Sequence, residues 1–205
     1  MKLEEKMNDN YFLDLGLNKI GLNIYVYKNF LSIDEIESLT VLFDEVKQNS
    51  LFDPGLVGTP FENKVSVPLK EMEPVLDRAK SLFGSTFSLH PNTSVNVMRE
   101  GDEWGQHSDN HDFIEKRNLS LLLKDGEPYE VVQDTKYGIV VYFNEVEEGG
   151  ELYYSNQDIT YSPSPGDLIV HSAEEDCMHG VNTIIRGHRY SYSNFLSTDL
   201  KIPSN

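Results

Sequence analysis

The sequence predicts a mainly β, α+β protein in which two helices precede a β-rich half built as a sandwich or barrel. Three observations carry that expectation. A capped amphipathic segment opens near residue 33, and a second helical stripe ends at Gly84. After Gly84, short alternating segments dominate. Turn chemistry separates several of them: Gly149-Gly150, Pro163 with Pro165-Gly166, and Gly187.

In chain order, residues 1–22 read as a polar lead-in, and Asn23–Lys28 alternates like a strand. Ser32 with Glu35 three residues later forms a capping box, and Ile36, Leu39, Phe43 and Val46 follow at helical spacing. That predicts a helix over Ile33–Gln48. Residues 49–70 are rich in Pro and Gly and read as a loop, with a short strand at Lys64–Val67. Pro74 suits a first helical turn; Val75, Leu76, Ala79, Leu82 and Phe83 form the stripe of a second helix. Strands are expected at Ser94–Arg99, Tyr137–Phe143, Glu151–Tyr154, Asp158–Tyr161, Asp167–Val170, Val181–Ile185 and His188–Leu196. The stretch 110–136 is polar apart from Leu119–Leu123 and is long for a connection inside a compact fold. Together with 49–70 it is a candidate lid or binding loop.

The 205 residues favour one domain, divided here as lead-in 1–22, strand and helices 23–84, and β-rich core 85–198. With 39% hydrophobic and 25% charged residues, the chain reads as globular rather than disordered. The net charge of -17, with no run of Lys and Arg, argues against nucleic acid and anionic membranes as partners. The lone Cys177 excludes an intrachain disulfide. The acidic N-terminus lacks an apolar core for a signal peptide, and no apolar stretch reaches transmembrane length, so the expected location is the cytoplasm.

The chemistry concentrates in GDEWGQHSDNHD. His107 and Asp109 are two apart, so on an extended segment both point to one face. A second imidazole, His179, stands about seventy residues downstream. Two histidines and one carboxylate can occupy one face of an octahedron and leave three positions open, as oxygen chemistry at iron requires. Alone, His-x-Asp is equally a polar turn. Further on, Arg189 and Ser191 share a strand face, and a guanidinium beside a hydroxyl receives a carboxylate. Tyr142, in IVVYFN, could add a third donor. Read singly, Arg189 is also a surface ion pair and Tyr142 a core tyrosine.

Taken jointly, the segments REGDEWGQHSD, YGIVVYFNEVEEGGELYY, the Pro-Gly-Asp of SPSPGDLIVH, and HGVNTIIRGHRYSYSNFL resemble the prolyl-4-hydroxylase-like branch of the Fe(II)/2-oxoglutarate oxygenases. The resemblance covers roughly residues 23–198 and includes VYKNFLSIDEIESL as the opening strand and helix. It implies a double-stranded β-helix, or jelly roll, with N-terminal helices buttressing one sheet. It implies His107, Asp109 and His179 as iron ligands. It places Arg189, ten residues past His179, on the distal carboxylate of 2-oxoglutarate, with Tyr142 donating to the same group and Ser191 beside it. The Gly149-Gly150-Glu151 turn matches a hairpin, which leaves Glu151 outside catalysis. Many relatives carry tyrosine where this chain has Trp104, some carry a cosubstrate-binding tyrosine where Val97 stands, and the insertion after Asp109 is unusually long.

The implied activity is Fe(II)- and 2-oxoglutarate-dependent hydroxylation of an aliphatic C–H bond, consuming O₂ and releasing succinate and CO₂, with ascorbate as a candidate reductant. The first reading of the substrate is a prolyl residue in a peptide or protein. The second is a free amino acid or other small metabolite. The third is a catalytically inactive jelly-roll module for binding or structure. Of the remaining histidines, His111 continues the His107/Asp109 alternation without belonging to the family pattern, His171 and His188 read as supporting or packing residues, and His90 as a loop residue. Cys177 reads as a redox-sensing thiol or a small buried group.

Overall fold

The computed structural model describes residues 9–48, 64–65, 69–89, 94–109, 123–124, 127–128 and 133–200. Its elements are α1 (Asp9–Asp14), β1 (Asn18–Gly21), β2 (Ile24–Tyr27), α2 (Ile33–Gln48), β3 (Lys64–Val65), α3 (Leu69–Phe83), β4 (Ser88–Leu89), β5 (Ser94–Arg99), β6 (Trp104–His107), β7 (Leu123–Lys124), β8 (Glu127–Pro128), β9 (Gln133–Tyr142), β10 (Glu148–Gly149), β11 (Leu152–Tyr154), β12 (Ile159–Tyr161), β13 (Leu168–Ser172), β14 (His179–Val181), β15 (Ile184–Arg186) and β16 (His188–Leu200). The expected loop over 49–63, His90, His111 and most of 110–132 lie outside the described residues. Among the described residues, no helix is long and apolar enough to cross a membrane.

Two antiparallel sheets face each other. The larger runs β1-β2-β13-β9-β16-β5-β3, with β4 also on β16, and the smaller runs β12-β11-β14-β6. One face of the large sheet packs on the helices. Alternate strand residues Tyr25, Val95, Val97, Ile139, Val141, Leu168, Val170, Tyr190 and Tyr192 share a buried core with Phe12, Leu39, Met72, Val75, Ala79 and Phe83. The intervening residues turn inward: Ile24, Val26, Met98, Tyr142 and Ile169 pack against Leu152, Tyr154, Val181 and Ile184. This period-two division, with one face under helices and one inside a two-sheet sandwich, is the jelly roll the sequence implies.

The capping box forms. The Ser32 N–H donates to Glu35 Oε2 at 2.8 Å, and the Glu35 N–H reaches back to Ser32 Oγ at 3.4 Å. Arg78 of α3 then clamps α2, donating to Glu35 Oε1 at 2.5 Å and to the Phe30 carbonyl at 2.6 Å.

Several expectations need correcting. From Asp9 onward the lead-in carries regular structure: α1 buries Phe12, whose ring lies 4.6 Å from Tyr25 and 4.8 Å from Tyr137, and β1 pairs with β2. Tertiary packing of one aromatic overrides the polar composition around it. The second helix begins at Leu69, because the buried stripe extends back from Val75 to Met72, so Pro74 lies inside α3 rather than in its first turn. Strand β9 starts at Gln133, four residues before the expected Tyr137. The expected strand Val181–Ile185 divides at Asn182-Thr183. β14 joins the smaller sheet and β15 pairs with β10. The left-handed Gly149 and Gly150 make that division possible, since a Cβ on Gly149 would strike the Thr183 carbonyl.

Candidate metal centre

The smaller sheet supplies the histidines. His107 ends β6, a polar segment that carries no strand pattern in the sequence, and it is the cross-strand partner of His179 on β14. Asp109 follows β6 by two residues and turns the same way. The ligand atoms of His107, Asp109 and His179 lie within 4.8 Å of one another. Asp109 Oδ1 stands 3.8 Å from Nε2 of each histidine.

The local backbone selects the ring nitrogens that face inward. His107 Nδ1–H donates to the Gly105 carbonyl at 2.9 Å, and His179 Nδ1–H to the Cys177 carbonyl at 2.8 Å. Each bond commits Nδ1 and leaves the Nε2 lone pair free for a metal. Burial pushes His179 down to about 3, with the neighbouring charge of His171 adding to the effect and Asp109 opposing it. Burial works to raise the Asp109 carboxyl, but the surrounding histidines outweigh it and hold the group below the usual carboxylate range. The set offers two imidazole Nε2 atoms and one carboxylate, a donor set that fits Fe(II).

A cavity of about 110 Å³ adjoins the three residues and reaches Arg189 and Ser191 on β16. Arg189 is buried at 5% exposure. Its Nη2–H donates to the Tyr142 hydroxyl at 3.0 Å and its Nη1–H to Met98 Sδ at 3.4 Å, while Nε has no partner. Among the described residues, no carboxylate pairs with this guanidinium. A buried cation without a counter-ion is costly, so the cavity end at Arg189 can receive an anion such as a carboxylate.

The chain superposes on the viral collagen prolyl hydroxylase of Paramecium bursaria Chlorella virus-1 in its 2-oxoglutarate complex. The TM-score is 0.59 at 14% identity, over 87% of this chain and 97% of that one. It superposes on a Pseudomonas putida prolyl-4-hydroxylase with a TM-score of 0.57 at 14% identity, over 93% and 98% of the two chains. An oxidoreductase of the 2-oxoglutarate-Fe(II) oxygenase family from Burkholderia pseudomallei gives a TM-score of 0.57 at 17% identity, over 94% and 90%. The chain has the fold of the Fe(II)/2-oxoglutarate oxygenases. No protein-family model matches the sequence, and no curated protein matches it.

Within this oxygenase fold, His107, Asp109, His179, Arg189 and Ser191 all line one cavity. Tyr142 does not; it lies behind Arg189, with the guanidinium carbon 4.9 Å from its ring centre. Its hydroxyl accepts from Arg189, and the phenol braces the fork. Val97, which stands where some relatives carry a tyrosine, points into the helix-side core; Asn96 and Met98 face the cavity. Trp104 does line it. Glu151 accepts from Asn182 at 3.2 Å, away from the cavity. His188 is off the wall and lies against Tyr190, ring centres 4.5 Å apart. Cys177 is buried, and burial pushes its thiol up to about 12.

His171 is a supporting residue, as one of its sequence readings has it, whereas Gly138 carries no sequence signal. His171 donates to Asp109 and contacts Tyr154. Gly138 lies flush against the pair, where a Cβ would fall 2.6 Å from His171 Nε2. In sequence, His171 ends an apolar run, and Gly138 is one glycine among 14.

Proposed function

We propose that this protein is an Fe(II)- and 2-oxoglutarate-dependent dioxygenase that hydroxylates an aliphatic C–H bond, with a prolyl residue of a peptide or protein as its substrate. The observation that carries the reading is a single cavity with a His107–Asp109–His179 cluster on one side and, on the other, a buried Arg189 that has no carboxylate partner among the described residues. A 2-oxoglutarate molecule has a metal-chelating end and a distal carboxylate, and those two features match the two ends of that cavity.

His107, Asp109 and His179 would hold the iron. When bound, iron supplies the redox chemistry that couples decarboxylation of 2-oxoglutarate to hydroxylation. The chain's own residues do the rest. The Gly105 and Cys177 carbonyls orient the two imidazoles. The guanidinium of Arg189 takes the distal carboxylate, with Ser191 beside it and Tyr142 bracing the fork. Apolar walls at Met98, Val140, Leu152 and Val181 keep water from the reacting groups. The prolyl assignment draws on the two prolyl hydroxylases among the structural neighbours.

The test is succinate release. The purified protein is incubated with Fe(II), 2-oxoglutarate and proline-rich peptides, with and without ascorbate, in parallel with free amino acids. Mass spectrometry should find succinate together with a peptide heavier by one oxygen. Hydroxylation of free amino acids alone would transfer the substrate to the small-metabolite class. Absence of succinate in every arm would overturn the enzymatic reading.

A further inference from the structure

Three histidines converge on Asp109, and only two of them join the cluster that could hold a metal. The third, His171, comes from β13 of the opposite sheet. Its Nε2–H donates to Asp109 Oδ2 at 3.1 Å, whereas Oδ1 is the oxygen 3.8 Å from both cluster histidines. The two carboxylate oxygens are thus committed in different directions. The Tyr154 hydroxyl lies 2.9 Å from His171 Nδ1. A carboxylate only accepts, so Nε2 carries the hydrogen that meets Asp109, and the ring's other nitrogen meets Tyr154. The chain of contacts is sealed: Tyr154 is 0% exposed, His171 1% and Asp109 8%. Gly138 closes the remaining side, because any side chain there would collide with both Asp109 and His171.

A carboxylate can serve a metal through one oxygen or two. A two-oxygen Asp109 would take up a coordination position that an oxygenase must keep open. We propose that Tyr154 and His171 are positioning residues that turn Asp109 Oδ2 away and limit this ligand to a single oxygen. The inference rests on the iron reading above and assigns the relay to ligand geometry, not to contact with substrate. Tyr154 is the cross-strand partner of His179, so the same strand pair sets one ligand and the support of another.

The experiment titrates Co(II) into the full chain and records affinity and the visible Co(II) spectrum, which reports coordination number. The variants are His171→Leu, His171→Asn, Tyr154→Phe and Asp109→Ala. Loss of such a support lowers metal affinity roughly 10- to 100-fold. His171→Leu should show that loss and a changed spectrum. His171→Asn, whose amide can still donate, should recover part of both, a rescue that simple packing would not give. Tyr154→Phe should shift in the same direction by less. Wild-type affinity and spectrum in folded His171→Leu would overturn the proposal, and if that variant does not fold, an unchanged Tyr154→Phe would do so. Wild-type Co(II) binding by Asp109→Ala is the distinct result that overturns the cluster itself, and the relay with it.

Discussion

His107 and His179 are direct cross-strand partners on β6 and β14, with ring centres 4.4 Å apart. Residues that far apart in sequence meet only because two short strands pair in one register. Each imidazole is held by a single backbone carbonyl. Either His→Ala substitution should therefore weaken Fe(II) by at least tenfold, about 1.4 kcal/mol. His188→Ala, off the cavity wall, should leave affinity near wild type. Calorimetric titration under anaerobic conditions measures this; equal losses in all three variants would contradict the assignment.

Gly138→Ala should be poorly tolerated even though the backbone there is ordinary. The added methyl would meet His171 Nε2 at 2.6 Å and press on Asp109. Overpacking of this kind costs about 1–3 kcal/mol. Thermal unfolding should show the loss, with weakened metal binding alongside it. A variant with unchanged stability and affinity would mean the strand can shift freely.

At the start of α2, burial works to raise the Glu35 carboxyl, but the Ser32 N–H and hydroxyl and Arg78 outweigh it and lower it. A lowered folded-state pKa contributes stability above the ordinary carboxylate value, and that contribution is lost as pH falls through the folded value. Glu35→Gln should therefore cost stability at pH 7, on the order of 0.5–2 kcal/mol as for other helix caps. The gap to wild type should close on acidification below about pH 4. Denaturant melts across pH test it; a gap that widens toward acid would reverse the sign.

Cys177 should be inert in the native protein. It is buried, its thiol is pushed up to about 12, and its S–H points to the Leu22 carbonyl at 3.4 Å. A disulfide reagent at pH 8 should label it only after unfolding. Rapid labelling of the folded protein would restore the redox-sensing reading of this residue.

Much of the architecture was legible because local signals are strong where chemistry is local. Ser32 and Glu35 set the start of α2, and alternation set the strand Ser94–Arg99. Local signals misled where packing decided. Pro74 looked like a helix start, yet Met72 extends the buried stripe upstream. Phe12 lies in a polar stretch and is ordered by rings from three other elements. β6 has no apolar alternation because one face of it carries the candidate ligands.

The candidate site divides in the same way. His107, Asp109 and His179 could be proposed from residue type and spacing. Period two puts Arg189 and Ser191 on one face of their strand, and the family resemblance points that face at the site. The bond from His171 to Asp109 spans 62 residues and two sheets, which no local pattern encodes. Alternation in β5 does not say which half of its residues turns toward the site; Asn96 and Met98 line the cavity and Val97 packs in the helix-side core.

The role of Arg189 is read from 2-oxoglutarate affinity for the Mn(II)-loaded protein, measured by calorimetry in wild type, Arg189→Ala, Arg189→Lys and Arg186→Ala. Arg189 is buried with an unpartnered Nε, whereas Arg186 is exposed and already paired with Glu147 at 2.8 Å. Charge-assisted hydrogen bonds are worth about 1.5–3 kcal/mol each. Wild type should bind tightly, Arg189→Ala should lose roughly 10- to 1000-fold, Arg189→Lys should fall between the two, and Arg186→Ala should change little. Wild-type affinity in Arg189→Ala, or no 2-oxoglutarate binding by the wild-type protein, would contradict that role.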